Sequence, residues 1–260
     1  MATPNYPDPL YLEAPNASAT APSLLLFLHG LGDDGTSYEA FAKYLQEFPT
    51  LAGLHIVLPT APRDHESMMN AWFTPKPFSM IPVGKSSSGE QAKNDDDEEQ
   101  DTEGWMRSVK YAEDLVLKEC KERSIPLDRA IVAGFSQGAA VSLGVGLGVT
   151  GEKDRPLGIA GVGALCGFLP LQYQVPHNGS AQMKFWLAAG SRDMLVPGWL
   201  SRNAQERLEK YAGKEAVERK LYEGLGHGIS RQLAEDFAVW LGERMAPGEG
   251  FLEVVPSTGE

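Results

Sequence analysis

Six short apolar runs, each closed by glycine, proline or small polar residues, alternate with longer stretches of helical spacing, and no other feature restricts the fold as much. The runs lie at 24–28, 54–58, 130–133, 159–165, 185–189 and 217–222, and read as strands. Helix-like stretches lie between and after them at 38–48, 105–123, 137–147, 199–211 and 229–244. That alternation implies an α/β architecture, a mainly parallel central sheet with helices on both faces. Ligands of such sheets bind outside the carboxyl ends of the strands, so chemistry is expected in the residues that follow each run. At 260 residues with 42% hydrophobic content, the chain suffices for one large domain and demands no second. We read that domain as 23–245, between an N-terminal extension at 1–22 and a C-terminal tail at 246–260.

Residues 79–103 break the pattern with a polar, acidic, low-complexity segment that offers no apolar face to pack, and they read as a flexible insertion. Residues 94–103 alone hold seven acids and no base; without them the formal charge falls from -12 to -5. No basic stripe remains for a phosphate backbone or an anionic bilayer, which argues against nucleic-acid binding. Cys120 and Cys166 have neither metal-site nor disulfide spacing. The N-terminus lacks a basic region, and its apolar run is too short for a signal peptide or a membrane span. The cytoplasm is therefore the expected compartment, without stable membrane insertion, and a homodimer is compatible with the pattern.

The run at 130–133, extended by Phe135, leads into "GFSQGAA" and a stretch rich in small residues. Ser136 thus sits at a strand-to-helix turn as the centre of a G-x-S-x-G, the pattern of a strained nucleophile elbow. From the pentapeptide alone, a plain turn with a serine cap reads equally well. After the first long run comes "HGLGDDG", where the backbone N–H of Leu31 is a candidate oxyanion donor. "GSRDMLVPGW" places Asp193 in a loop after a later run, and "GLGHGIS" places His227 between glycines after the last. Serine, acid and histidine after successive strands follow the chain order of the α/β-hydrolase fold. The chemistry explains the set: serine needs a base within hydrogen-bond reach, and the base needs an acid that fixes its tautomer. The other histidines fit the base role less well, and His29 belongs to the glycine-rich turn. "GLGVTG" at 146–151 matches the dinucleotide fingerprint, but it closes a helix where that motif must open one.

The motifs "HGLGDDG", "LPTAPR", "AWF", "GFSQGAA", "LVP" and "GHGIS", in this order, resemble those of the phospholipase/carboxylesterase family, which includes the acyl-protein thioesterases and small carboxylesterases. The resemblance runs from about residue 24 to 245. It implies an α/β-hydrolase with Ser136 as nucleophile, Asp193 and His227 completing the triad, and the backbone N–H groups of Leu31 and Gln137 as the oxyanion hole. It also implies neither metal nor organic cofactor. A serine hydrolase of carboxylic esters or thioesters acting through an acyl-enzyme follows, its substrate a small molecule or an acylated protein. Trp72, Phe73, Phe168, Leu169 and Leu195 are candidates for an acyl pocket, although for any one of them ordinary core is the stronger reading. The rival activities are a peptidase or amidase on the same fold and, in another class, a catalytically silent binding protein. Because no lipid anchor or basic amphipathic surface is visible, short and medium acyl chains are expected to be preferred over long ones.

Overall fold

Each of the six runs forms a strand and each helical stretch a helix in the computed structural model, which describes residues 5–16, 21–76, 101–150, 157–171, 173–175 and 183–245. The strands are β1 (Leu10–Leu12), β2 (Ser23–Leu28), β3 (Leu54–Leu58), β4 (Ala130–Phe135), β5 (Gly161–Leu165), β6 (Lys184–Gly190) and β7 (Val217–Tyr222). The helices are α1 (Glu39–Gln46), α2 (Thr102–Arg123), α3 (Gln137–Leu147), α4 (Gly198–Ala212) and α5 (Arg231–Met245). One seven-stranded sheet has the order β1-β3-β2-β4-β5-β6-β7. All neighbours are parallel except β1, which runs antiparallel to β3.

The central strand β2 shows why the runs are apolar throughout. Leu24, Leu26 and Leu28 join the core formed with α2, α3 and α4, whereas Leu25 and Phe27 join the one formed with α1 and α5. A strand covered on both faces buries both sets, so the alternation seen in half-exposed strands disappears. Helix α3 is buried along its whole length, and its small residues let α2 approach closely enough for the Trp105 indole N–H to donate to the Ala140 carbonyl at 2.8 Å.

Two boundaries differ from the sequence reading. β1 lies inside the segment read as an N-terminal extension; it is a three-residue edge strand held by pairing Leu10 with Leu58 and Leu12 with Ile56. Its approach is fixed by Tyr6, whose ring stacks on Tyr111 with centroids 3.6 Å apart. The acidic insertion read at 79–103 ends in ordered structure. Asp101 caps α2, its carboxylate accepting from the Gly104 amide at 2.8 Å and the Thr74 amide at 3.0 Å, and residues 102–103 are helical. The rest of the insertion, from 79 to 100, and the tail at 246–260 lie outside the described residues. Because β2, β4, β6 and β7 are parallel, the segments after all four emerge along the same sheet edge.

Candidate active site

Ser136 stands between the last residue of β4 and the first of α3 with φ 53° and ψ -114°, in the left-handed half of backbone space. A residue with a Cβ is held there only when its surroundings over-determine it. Here they do. The Ser136 amide donates to the Leu165 carbonyl at the end of β5 at 2.8 Å, and the turn is pressed so closely onto β2 that a Cβ on Gly138 would lie 2.2 Å from the Leu28 carbonyl oxygen. The glycine after the serine is thus a steric requirement, which separates this turn from an ordinary serine-capped one.

Asp193 and His227 come from the loops after β6 and β7. Those loops are tied together: the Arg192 amide donates to the Leu225 carbonyl at 2.9 Å, and a Cβ on Gly190 would lie 2.3 Å from the same oxygen. Asp193 is buried and its two carboxylate oxygens are divided between tasks. Oδ1 accepts from the amides of Leu195 at 2.9 Å and Val196 at 2.8 Å, while Oδ2 lies 2.7 Å from Nδ1 of His227. Burial alone would raise the Asp193 pKa, but the hydrogen bonds from His227 and the two amides outweigh it and hold the carboxyl below its ordinary value. An ionised Asp193 accepts a hydrogen bond from Nδ1–H of His227, which keeps that proton on Nδ1 and leaves the lone pair of Nε2 free to take another. The imidazole also packs against Phe135, with ring centroids 4.7 Å apart.

Ser136 and His227 line the same cavity, of about 360 Å³, together with Gly30, Leu31, Gln137, Phe73, Phe168, Leu195 and others. Phe73 and Phe168 meet edge to face across it at 6.3 Å, and Leu195 stands at the mouth, 67% exposed. Of the five pocket candidates, Trp72 and Leu169 do not line this cavity. Leu169 is core, and Trp72 is a buried strut whose indole N–H donates to the His29 carbonyl at 2.9 Å. Leu31 and Gln137 both face the cavity, and Gln137 opens α3, where the first amides have no partner within the helix.

Two connections have no sequence signal. The Gln137 side chain accepts from the Trp72 amide at 2.9 Å and donates to the Phe73 carbonyl at 2.7 Å, binding the pocket wall to the start of α3. His29, wholly buried, sits with Nδ1 2.6 Å from the Gly30 carbonyl and accepts at Nε2 from the Ala61 amide at 2.9 Å. That pattern admits only the neutral ring protonated at Nδ1. Cys166, which follows β5 with φ 48°, has Sγ 3.5 Å from the Gly228 carbonyl. Burial pushes its thiol up to about 11, so at neutral pH it stays protonated.

The fold and the arrangement of these side chains define an α/β-hydrolase. The chain belongs to the phospholipase/carboxylesterase family, whose model matches residues 12–242. It is 29% identical over 240 residues to acyl-protein thioesterase 1 of Yarrowia lipolytica, covering 88% of this chain and 95% of the relative. Among solved structures, Arabidopsis thaliana SOBER1 superposes with a TM-score of 0.67 at 24% identity, covering 86% of this chain and all of that one. Zea mays acyl-protein thioesterase 2 gives 0.67 at 22% identity, with 92% and 100% covered. The chain is accordingly a hydrolase acting on esters or thioesters.

Proposed function

We propose that Ser136, His227 and Asp193 form the catalytic triad, working through an acyl-enzyme. The hydroxyl of Ser136 attacks the acyl carbonyl while Nε2 of His227 takes its proton; Asp193 keeps Nδ1 protonated and balances the charge of the imidazolium. The carbonyl oxygen, now anionic, is received by the N–H groups of Leu31 and Gln137, placed before the reaction so that no reorganisation is needed as charge develops. His227 then returns its proton to the departing alcohol or thiol, and a water activated by the same imidazole releases the acid. The reading rests above all on the strained elbow of Ser136 facing the same cavity as a histidine held 2.7 Å from a buried carboxylate.

The acyl chain is assigned to the wall formed by Phe73, Phe168 and Leu195. The relatives' names point to thioesters of acylated proteins, and the same carbonyl chemistry serves small esters. Among the described residues no helix is long and apolar enough to cross a membrane. We assign the enzyme to the cytoplasm, a reading favoured by two buried cysteines that are free thiols, and leave a homodimer as its alternative to a monomer. A fluorophosphonate probe should label Ser136 alone, and Ser136→Ala should lose both labelling and p-nitrophenyl ester hydrolysis; a label mapped to another residue refutes the assignment. In a series of esters and thioesters from acetyl to palmitoyl, kcat/KM should peak at short or medium chains. An optimum at palmitoyl thioester would reverse that preference.

A further inference from the structure

Beneath the Asp193–His227 pair lies a third group that the hydrolytic reading leaves unused. Cys166 Sγ, a ring nitrogen of His227 and a carboxylate oxygen of Asp193 all lie within 4.8 Å of one another. Three different elements deliver them: the turn after β5, the loop after β6 and the loop after β7. Each is fixed from outside the cluster, because the Cys166 amide donates to the Ala188 carbonyl at 2.8 Å, Asp193 Oδ1 is held by two amides, and His227 is packed on Phe135. Thiolate, imidazole and carboxylate are the donor set of zinc and its thiophilic relatives.

We propose that Cys166, Asp193 and His227 form an inhibitory site for a thiophilic divalent cation of the zinc class. Zinc bonds of about 2.0–2.3 Å at tetrahedral angles place ligand atoms roughly 3.3–3.7 Å apart. The 2.7 Å Asp193–His227 separation must therefore open and the widest spacing close, each by about an ångström. The cation has a route, since His227 lines the cavity. On binding, the Sγ–H bond breaks, sulfur keeps the electron pair and donates it to the metal, and that proton leaves to solvent; the neutral His227 ring carries its own proton on Nε2 instead of Nδ1, so that the Nδ1 lone pair is donated to the metal. Binding draws the imidazole and the carboxylate to the metal, so that the Asp193–His227 hydrogen bond no longer holds the ring for proton transfer. The inhibitory step rests on the role proposed for His227, whereas binding does not. Such a site differs from a catalytic metal centre because occupancy suppresses hydrolysis.

Cadmium supplies a readout independent of turnover, the ultraviolet charge-transfer band of a cadmium–thiolate bond. The protein is titrated with cadmium while the band is recorded, and ester hydrolysis is measured in parallel against zinc, in wild type, Cys166→Ser, Cys166→Ala and Cys120→Ser. Wild type and Cys120→Ser should show a band saturating at one cation per chain and a rate that chelator restores. Both Cys166 variants should lose the band, and the zinc concentration that halves their own basal rate should rise by at least about tenfold. No Cys166-dependent band overturns the site, and a Cys166-dependent band with equal zinc inhibition of all four proteins overturns its part in the inhibition. A Cys166-dependent band with hydrolysis untouched overturns the inhibitory step and counts against His227 as the base, leaving the binding site standing.

Discussion

Asp193 separates its two duties between two oxygens, and this decides what a single atom exchange should do. In Asp193→Asn the carbonyl oxygen can still accept from the Leu195 and Val196 amides, so the loop after β6 should keep its shape. The amide nitrogen, facing Nδ1 of His227, can only donate, and the ring must turn its lone pair there and carry its proton on Nε2. A base protonated at the working nitrogen cannot accept from Ser136. We expect kcat to fall by about 10⁴-fold with little change in thermal midpoint; near-normal turnover would mean that another carboxylate serves. The members of this constellation were legible in the sequence because each follows a strand, and strand ends are visible as the limits of apolar runs. The pocket wall was less legible. Trp72 and Phe73 are adjacent aromatic residues in one loop, yet the first is a strut and the second lines the cavity. Apolar character alone cannot separate them, since the difference lies in which way each side chain leaves the backbone.

At the scale of elements, the parts of the site are joined by side chains rather than by the sheet itself. The Gln137 amide group satisfies one N–H and one C=O of the buried 72–73 turn, and the Trp72 carbonyl accepts in turn from Ser108 on α2. Gln137→Met keeps length and apolar volume, leaves the backbone N–H of residue 137 in place, and strips two buried backbone groups of their partners. Unfolding in urea should show a loss of about 2–6 kcal/mol, since each unsatisfied buried donor or acceptor costs roughly 1–3 kcal/mol. Because Phe73 is then freed, KM for acyl esters should rise more than kcat falls. An unchanged KM with a lowered kcat would mean that the clamp serves the oxyanion donors instead of the pocket wall. This link had no sequence signal, because a glutamine after the serine reads the same whether its side chain meets solvent or a distant turn. β1 escaped notice for a related reason. Three residues carry too little periodicity to read, and the strand exists only because β3 offers an open edge.

For the molecule as a whole, the stability of the loop after β2 should respond to pH through His29. Burial holds its pKa below the ordinary histidine value, opposed only in part by the Gly30 carbonyl and the charges of Asp33 and Asp34. The neutral ring is also the only form that can accept from the Ala61 amide. In the unfolded chain a histidine titrates near 6.5, so below about that pH the unfolded state binds a proton that the folded state refuses. His29 therefore contributes its full stability above about pH 6.5 and loses it as pH falls toward the depressed folded pKa, by at most about 1.4 kcal/mol per pH unit. Asp193 acts lower on the scale: its depressed pKa gives stability that is complete above about 3.9 and lost as pH falls through the folded value. Glu113 acts in the opposite sense, because burial raises its pKa despite the hydrogen bond from Thr150, and its penalty is relieved as pH falls. A comparison of wild type with His29→Gln cancels both of these, together with the general loss of negative charge on acidification. The difference in unfolding free energy between the two proteins, taken from urea midpoints between about pH 7.5 and 4.5, should shrink as pH falls. A pH-independent difference would show that the folded state does not exclude the protonated ring. Because Leu31 lies two residues from His29 in the same loop, ester hydrolysis by wild type should decline across that acid range more steeply than ester hydrolysis by His29→Gln.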